Sequence, residues 1–296
     1  MNFTETALSF DCHGNQLVGI LSLPEQAGPT GVLVLVGGPQ YRAGSHRQFT
    51  LMTRYLAERG IPAMRFDYRG MGDSEGPQTA FEETGEDVRA ALDQFFAAVP
   101  GLREVALWGL CDAASASLFY AHQDARVTGL VLLNPWVRTE QGMAKAYLKH
   151  YYINRLFDAA LWQKIFSGKF SFSSAAKSFA GLVGTAAVPH QAAGAADIAP
   201  ASAAHNGPPV ADLPRRMLDS LARFQGRVLI ILANKDLTAQ EFADLGNSSG
   251  AWKKLLASPR ISRRELADAD HTFSRRAWRD QVAEWTTEWI RNGGGK

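Results

Sequence analysis

Apolar residues along the chain fall into short runs separated by turn signals. TALSFDC and QLVGILSLP alternate loosely in polarity on either side of His13-Gly14-Asn15, the pattern of an antiparallel hairpin at a sheet edge. A Gly/Pro linker then leads into GVLVLVGG, a continuous β-branched run suited to a strand covered on both faces. From there strands and helices alternate: helix 47–59, strand 61–67, helix 81–98, strand 104–109, helix 112–122 and strand 127–133. Two later strands, 227–234 and 261–268, flank one helix, and RRAWRDQVAEWTTEWI closes the pattern before a GGGK tail expected to be mobile. This alternation predicts an α/β fold, a mostly parallel, doubly wound sheet with an N-terminal antiparallel hairpin.

Residues 137–212 interrupt the alternation. AYLKHYYINRLFDAALWQKIF (146–166) carries Leu148, Tyr152, Leu156, Leu161 and Ile165 at helical spacing, which predicts a helix packed on something. The stretch 184–212 is rich in Ala, Gly and Pro, so ordering it would bury little apolar surface, and a loose excursion is expected. The expected organisation is a core of 1–136 and 213–296 with a cap insert at 137–212 that controls access. A helix packed against the flank of the sheet is the competing reading.

Composition narrows the partners. With 296 residues, 46% of them hydrophobic, the chain can bury a sizeable core. Lys plus Arg number 31 against 29 acidic residues, a balance without the basic excess of a nucleic-acid or anionic-membrane footprint. Two cysteines, Cys12 and Cys111, build no disulfide framework and show no metal-ligand spacing, so neither metal nor cofactor is expected. The start MNFTETALSF lacks a basic region and an apolar run, and no apolar stretch approaches the roughly 18 residues of a membrane span. A cytoplasmic protein acting on a small-molecule acyl substrate, without stable membrane insertion, is the expectation.

The candidate chemistry starts at EVALWGLCDAASA, which reads strand, tight turn, helix. Cys111 has Gly109 two before it and Ala113 two after, the small-x-nucleophile-x-small form of a nucleophile elbow with cysteine in the serine position. Centring the pattern on Asp112 places Leu110 and Ala114 at the flanks, a poorer fit, and no strand directly precedes Ser115. Taken alone, Cys111 also fits an inert buried thiol. Two distant residues favour the elbow: Asp236 in ILANKD, just past a late strand, and His271 in ADADHTF, on a loop after the last one. Asp268 and Asp270 compete with Asp236 for the acid role. The other six histidines read as surface or loop residues, His46 the least clearly.

The motifs VLVGGPQ, RFDYRGMGDSEG, WGLCDAASA, ANKDLTAQEF and DADHTF resemble the α/β-hydrolase superfamily. More narrowly, they resemble the exosortase A system-associated hydrolase 1 family, bacterial proteins linked with exopolysaccharide and protein-sorting loci. Cysteine at the elbow is also similar to dienelactone hydrolases. The resemblance implies a hydrolase of ester or thioester bonds, with Cys111 as nucleophile, His271 as base and Asp236 as its orienting acid. The alternatives are an acyltransferase using the same three residues, and a non-catalytic binding or scaffold protein on the same fold. An oxyanion hole would use the backbone N–H of Asp112 and a donor from the loop Gly37-Gly38-Pro39-Gln40, where relatives often carry His-Gly-x. Pro39 has no N–H, so Gln40 or a re-aimed Gly38 must serve. Asp67 and Arg69 are expected to pair and shape their loop. Arg42, His46 and Trp136 are expected to contact substrate, the basic pair through an anionic group; a solvated loop is the other reading of that pair.

Overall fold

The computed structural model describes residues 2–38, 40–137 and 213–293. The chain divides after Arg138 and before Ala204 into two units, and the described residues all belong to the first. The expected cap helix at 146–166, the loose stretch at 184–212 and the last three residues of the tail lie outside them.

Strands β1 (Phe3–Cys12) and β2 (Asn15–Pro24) form the N-terminal hairpin, with Cys12 opposite Asn15. His13 and Gly14 between them both have positive φ, 53° and 78°, the two-residue turn whose twist matches paired strands. Six strands follow: β3 (Thr30–Leu35), β4 (Ala63–Phe66), β5 (Glu104–Leu110), β6 (Val127–Leu133), β7 (Arg227–Ala233) and β8 (Ile261–Leu266). They make one eight-stranded sheet in the order β1-β2-β4-β3-β5-β6-β7-β8. The pairs β1–β2 and β2–β4 are antiparallel and the rest parallel. The continuous apolar runs occupy the middle: Val32, Leu33, Val34 and Leu35 are fully buried. At the far edge β8 exposes Ser262, Arg263, Arg264 and Glu265, charges that discourage pairing with a stray strand.

Seven α-helices complete the described residues: α1 (Gln48–Ala57), α2 (Gly85–Ala98), α3 (Asp112–Ala121), α4 (Leu213–Arg223), α5 (Leu237–Ser248), α6 (Gly250–Leu256) and α7 (Arg276–Arg291). Two departures from expectation stand out. The single helix expected between β7 and β8 is two, because Gly246-Asn247-Ser248-Ser249-Gly250 gathers weak helix formers and Ser249 turns extended to start α6. Helix α4 has no counterpart among the expected elements, although Leu213, Met217 and Leu221 recur every four residues and are buried.

The strand order decides where a site can form. From β3 the chain moves to β4 on one side and then returns to β5 on the other, so the loops leaving β3 and β5 diverge from neighbouring strand ends and open a crevice there. Those loops carry Gly37–Arg42 and Cys111.

Helix α3 is tied down at its far end by Asp124, which accepts hydrogen bonds from Tyr120 Oη at 2.8 Å and from Arg126 Nη2 at 2.7 Å. The Arg126 guanidinium, with help from Tyr120, holds the Asp124 carboxyl down at about 2 against 3.8 unperturbed. A lowered folded-state value stabilises the fold above pH 4 and ceases to do so as pH falls toward 2. Asp124→Asn is therefore expected to cost about 2 kcal/mol at pH 7, and its deficit against wild type to shrink between pH 4 and 2. Urea unfolding at each pH measures this; a deficit independent of pH contradicts it.

Candidate active site

Strand β5 stops at Leu110, and Cys111 follows with φ 64° and ψ −123°, a region that L-residues enter at a cost of about 1–3 kcal/mol. Helix α3 begins at the next residue. The bend is fixed through main-chain bonds: Cys111 N–H donates to Leu133 O at 2.9 Å, while its carbonyl accepts from Ala114 N at 3.1 Å and Trp136 N at 3.2 Å. Sterics explain Gly109, since a Cβ there would sit 2.5 Å from the Ala113 carbonyl oxygen. Cys111 is 8% exposed and lies against the N-terminus of α3, whose dipole favours an anion.

Asp236 follows β7 and caps α5, accepting Thr238 N–H at 3.3 Å and Ala239 N–H at 3.1 Å. Its Oδ2 lies 2.9 Å from Nδ1 of His271, whose side chain is partly exposed. The two competing carboxylates are engaged elsewhere. Asp268 pairs with Lys235 at 2.8 Å, and that hydrogen bond and charge hold its carboxyl below the usual range. Asp270 accepts the Ser274 N–H at 2.9 Å and the Ser274 hydroxyl.

Asn134, a residue the sequence reading passed over, organises this edge. Fully buried after β6 with φ 43°, it donates from Nδ2 to the His271 carbonyl at 3.0 Å and accepts Ala233 N–H at 2.9 Å. The available signal was an Asn at a strand end, a residue type that tolerates left-handed backbone.

The loop after β3 departs from several expectations. Gly38 N–H does not point free as an oxyanion donor; it donates to Asp112 Oδ2 at 2.8 Å, and Asp112 Oδ1 accepts Ala113 N–H at 2.9 Å. Gln40 Oε1 accepts Ser45 N–H at 3.1 Å, which commits that side chain to the loop. Arg42 is not available for an anionic substrate, because its guanidinium pairs with Asp67 and with Asp73. Asp67 therefore does not pair with Arg69; Arg69 instead donates to Asp87 at 2.5 Å. His46 is exposed on a left-handed backbone of φ 52°. Trp136 is half-buried beside the elbow, its N–H on Cys111 O and its carbonyl on the Ser115 hydroxyl at 2.7 Å.

The second cysteine is chemically different. Cys12 is buried with Sγ 3.2 Å from Asp87, and burial together with that carboxylate pushes its thiol up to about 12. Burial, reinforced by the charge of Asp112, likewise pushes the Tyr68 phenol up. Among the described residues no cluster of His, Cys, Asp and Glu could hold a metal ion, and no helix is long and apolar enough to cross a membrane.

Solved structures share this architecture. The esterase Pf2001 of Pyrococcus furiosus superposes with a TM-score of 0.64 at 13% identity, over 99% of this chain and 92% of that one. Est1E of Butyrivibrio proteoclasticus with ferulic acid bound gives 0.62 at 14%, over 98% and 100%. XC6422 of Xanthomonas campestris, described as an a/b serine hydrolase without lid, gives 0.55 at 18%, over 96% and 94%. At these identities the likeness establishes the fold. No curated protein matches the chain in sequence. The sequence profile of the Alpha/beta hydrolase family, by contrast, matches residues 32–285, spanning both the elbow and the histidine loop. The chain thus belongs to the Alpha/beta hydrolase family and is an enzyme of the hydrolase type.

Proposed function

We propose that the protein cleaves carboxylic ester or thioester bonds through a covalent acyl-Cys111 intermediate. The observation that carries this reading is the left-handed turn at Cys111 between β5 and α3, a costly geometry whose effect is to lift one side chain above the sheet edge. The His271–Asp236 pair supports it. With Nδ1 committed to Asp236, the other ring nitrogen is left to exchange a proton with sulfur, and the carboxylate stabilises the imidazolium that results.

In the first half-reaction His271 takes the thiol proton, the sulfur attacks the acyl carbon, and the S–C bond forms as the carbonyl electrons move onto oxygen. Collapse of that intermediate breaks the bond to the leaving group, which receives the proton from His271. In the second, water attacks the thioester with His271 as base, the S–C bond breaks, and the proton returns to sulfur. An acceptor alcohol in place of water gives acyl transfer by the same steps. The oxyanion would be held by the N–H of Asp112 and by a donor from the Gln40 region, each worth about 2.7–4 kcal/mol at a well-studied protease.

The esterase designation of Pf2001 and the ferulic acid seated on Est1E support carboxylic esters as the substrate class. The resemblance to exosortase A system-associated hydrolases supports an acylated saccharide or carrier-bound precursor within that class. The ion pairs of Arg42 with Asp67 and Asp73 argue against that residue as a substrate anchor.

Incubation with p-nitrophenyl acetate or an acyl thioester is expected to leave an acetyl-sized adduct on Cys111 by intact-mass and peptide mass spectrometry. Cys111→Ala abolishes the adduct. His271→Ala slows its formation by about 100-fold or more and lets what forms persist. No adduct with any acyl donor overturns the reading and leaves a binding or scaffold role on this fold. Asp236→Asn keeps an α5 cap of equal quality but removes the charge facing His271. Its melting temperature is expected to hold while acylation falls at least about tenfold. Equal rates would move the acid role to Asp268 or Asp270.

A further inference from the structure

The loop after β3 is pinned at both ends by buried carboxylates. Gly38 N–H donates to Asp112 Oδ2 at 2.8 Å, and Arg42 N–H donates to Asp67 Oδ1 at 2.6 Å. Asp112 is 5% exposed and Asp67 fully buried, so both bonds are sheltered from water. Gly37 leaves the space that one of them needs, because a Cβ there would collide with Asp112 Oδ1. Of the residues between the pins, Pro39 has no N–H, and the Gln40 side chain is engaged by Ser45. With Gly38 N–H occupied, the next residue along the loop with an amide to donate is Gln40, through its backbone N–H.

We propose that Asp112 is a positioning residue, whose side chain registers the Gln40 N–H against the nucleophile elbow by holding Gly38. The proposal rests on the acyl-enzyme reading above and deepens it. A single residue then sets both halves of the oxyanion hole: its own N–H, directly after Cys111, supplies the first donor, and its carboxylate fixes the loop that supplies the second. Such coupling matters because an oxyanion donor works only when held at bonding distance from where charge develops, and the loop has no ladder partner to hold it there. The carboxylate thus replaces the anchoring that Pro39 removes from the middle of the loop.

The test compares two reactions of Cys111 in wild type, Asp112→Ala and Asp112→Asn. Acylation by p-nitrophenyl acetate needs the oxyanion hole; alkylation by iodoacetamide, a direct displacement, does not. The ratio of the two rates cancels changes in thiolate population. Cys12 stays silent at neutral pH because its thiol is buried and raised to about 12. In Asp112→Ala the acylation-to-alkylation ratio is expected to fall at least about tenfold. Asp112→Asn, whose one oxygen can still accept Gly38 N–H while its NH2 then meets Ala113 N–H, is expected to lose less than about tenfold. Hydrogen exchange of the 36–42 segment should accelerate in the alanine variant and not in the asparagine variant.

An unchanged ratio in Asp112→Ala overturns the proposal, as does equal impairment of both variants. If Asp112→Ala fails to fold, a tenfold loss of the ratio in folded Asp112→Asn overturns it equally. Should wild type form no acyl adduct, the acyl-enzyme reading falls by itself. The exchange measurement then still decides the anchor, and unaltered exchange in Asp112→Ala refutes it.

Discussion

The backbone turn at Cys111 is the constraint on which the rest of the described site depends. A residue with φ 64° at the junction of β5 and α3 forces the helix to leave the sheet at a sharp angle, and that angle crowds the backbone two positions either side. Gly109 and Ala113 answer the crowding within the turn, and Gly37 answers it across the crevice, where Asp112 presses against the neighbouring loop. The strain persists because surrounding bonds over-determine it. Leu133, Ala114 and Trp136 hold the Cys111 amide and carbonyl, so relaxing the turn would leave several main-chain groups unpaired in a buried place.

Around that turn, side chains do the work that strand ladders do inside the sheet. Loops at the carboxyl edge expose amides with no strand opposite, and carboxylates take up that role, among them Asp112 for Gly38 and Ala113, Asp67 for Arg42, and Asp236 for Thr238 and Ala239. Asn134 ties β7 and the His271 loop together through one amide group that donates and accepts at once. Each of these groups is buried, so each bond is made in a medium where leaving it unmade costs about 1–3 kcal/mol. Rigid loops of this kind allow a histidine that is itself partly exposed to keep a fixed partner.

Much of the architecture is legible in residue pattern. The β-branched run GVLVLV could be covered only inside a parallel sheet, His13-Gly14 could only turn a hairpin, and the spacing Gly109, Cys111, Ala113 marks a turn with no room for larger neighbours. Boundaries set by weaker preferences were less legible. The break between α5 and α6 depends on a cluster of Gly, Asn and Ser that lowers helix propensity without abolishing it. Helix α4 follows the insert in sequence, and its amphipathic repeat is short, three buried apolar positions at Leu213, Met217 and Leu221.

Apart from the Asp236–His271 pair, the charged pairings around the site were not legible. Asp67 had Arg69 two residues away and paired with Arg42, twenty-five residues distant; Gly38 met an oxygen 74 positions along the chain, and Asn134 a carbonyl 137 positions along. The sequence by itself determined the alternation of strands and helices, the hairpin and the elbow, because periodicity and backbone sterics act within a few residues. Tertiary structure alone decided which carboxylate holds which amide, because a hydrogen bond is chosen by distance and burial after the chain has folded, and strand order brings remote loops to the same edge.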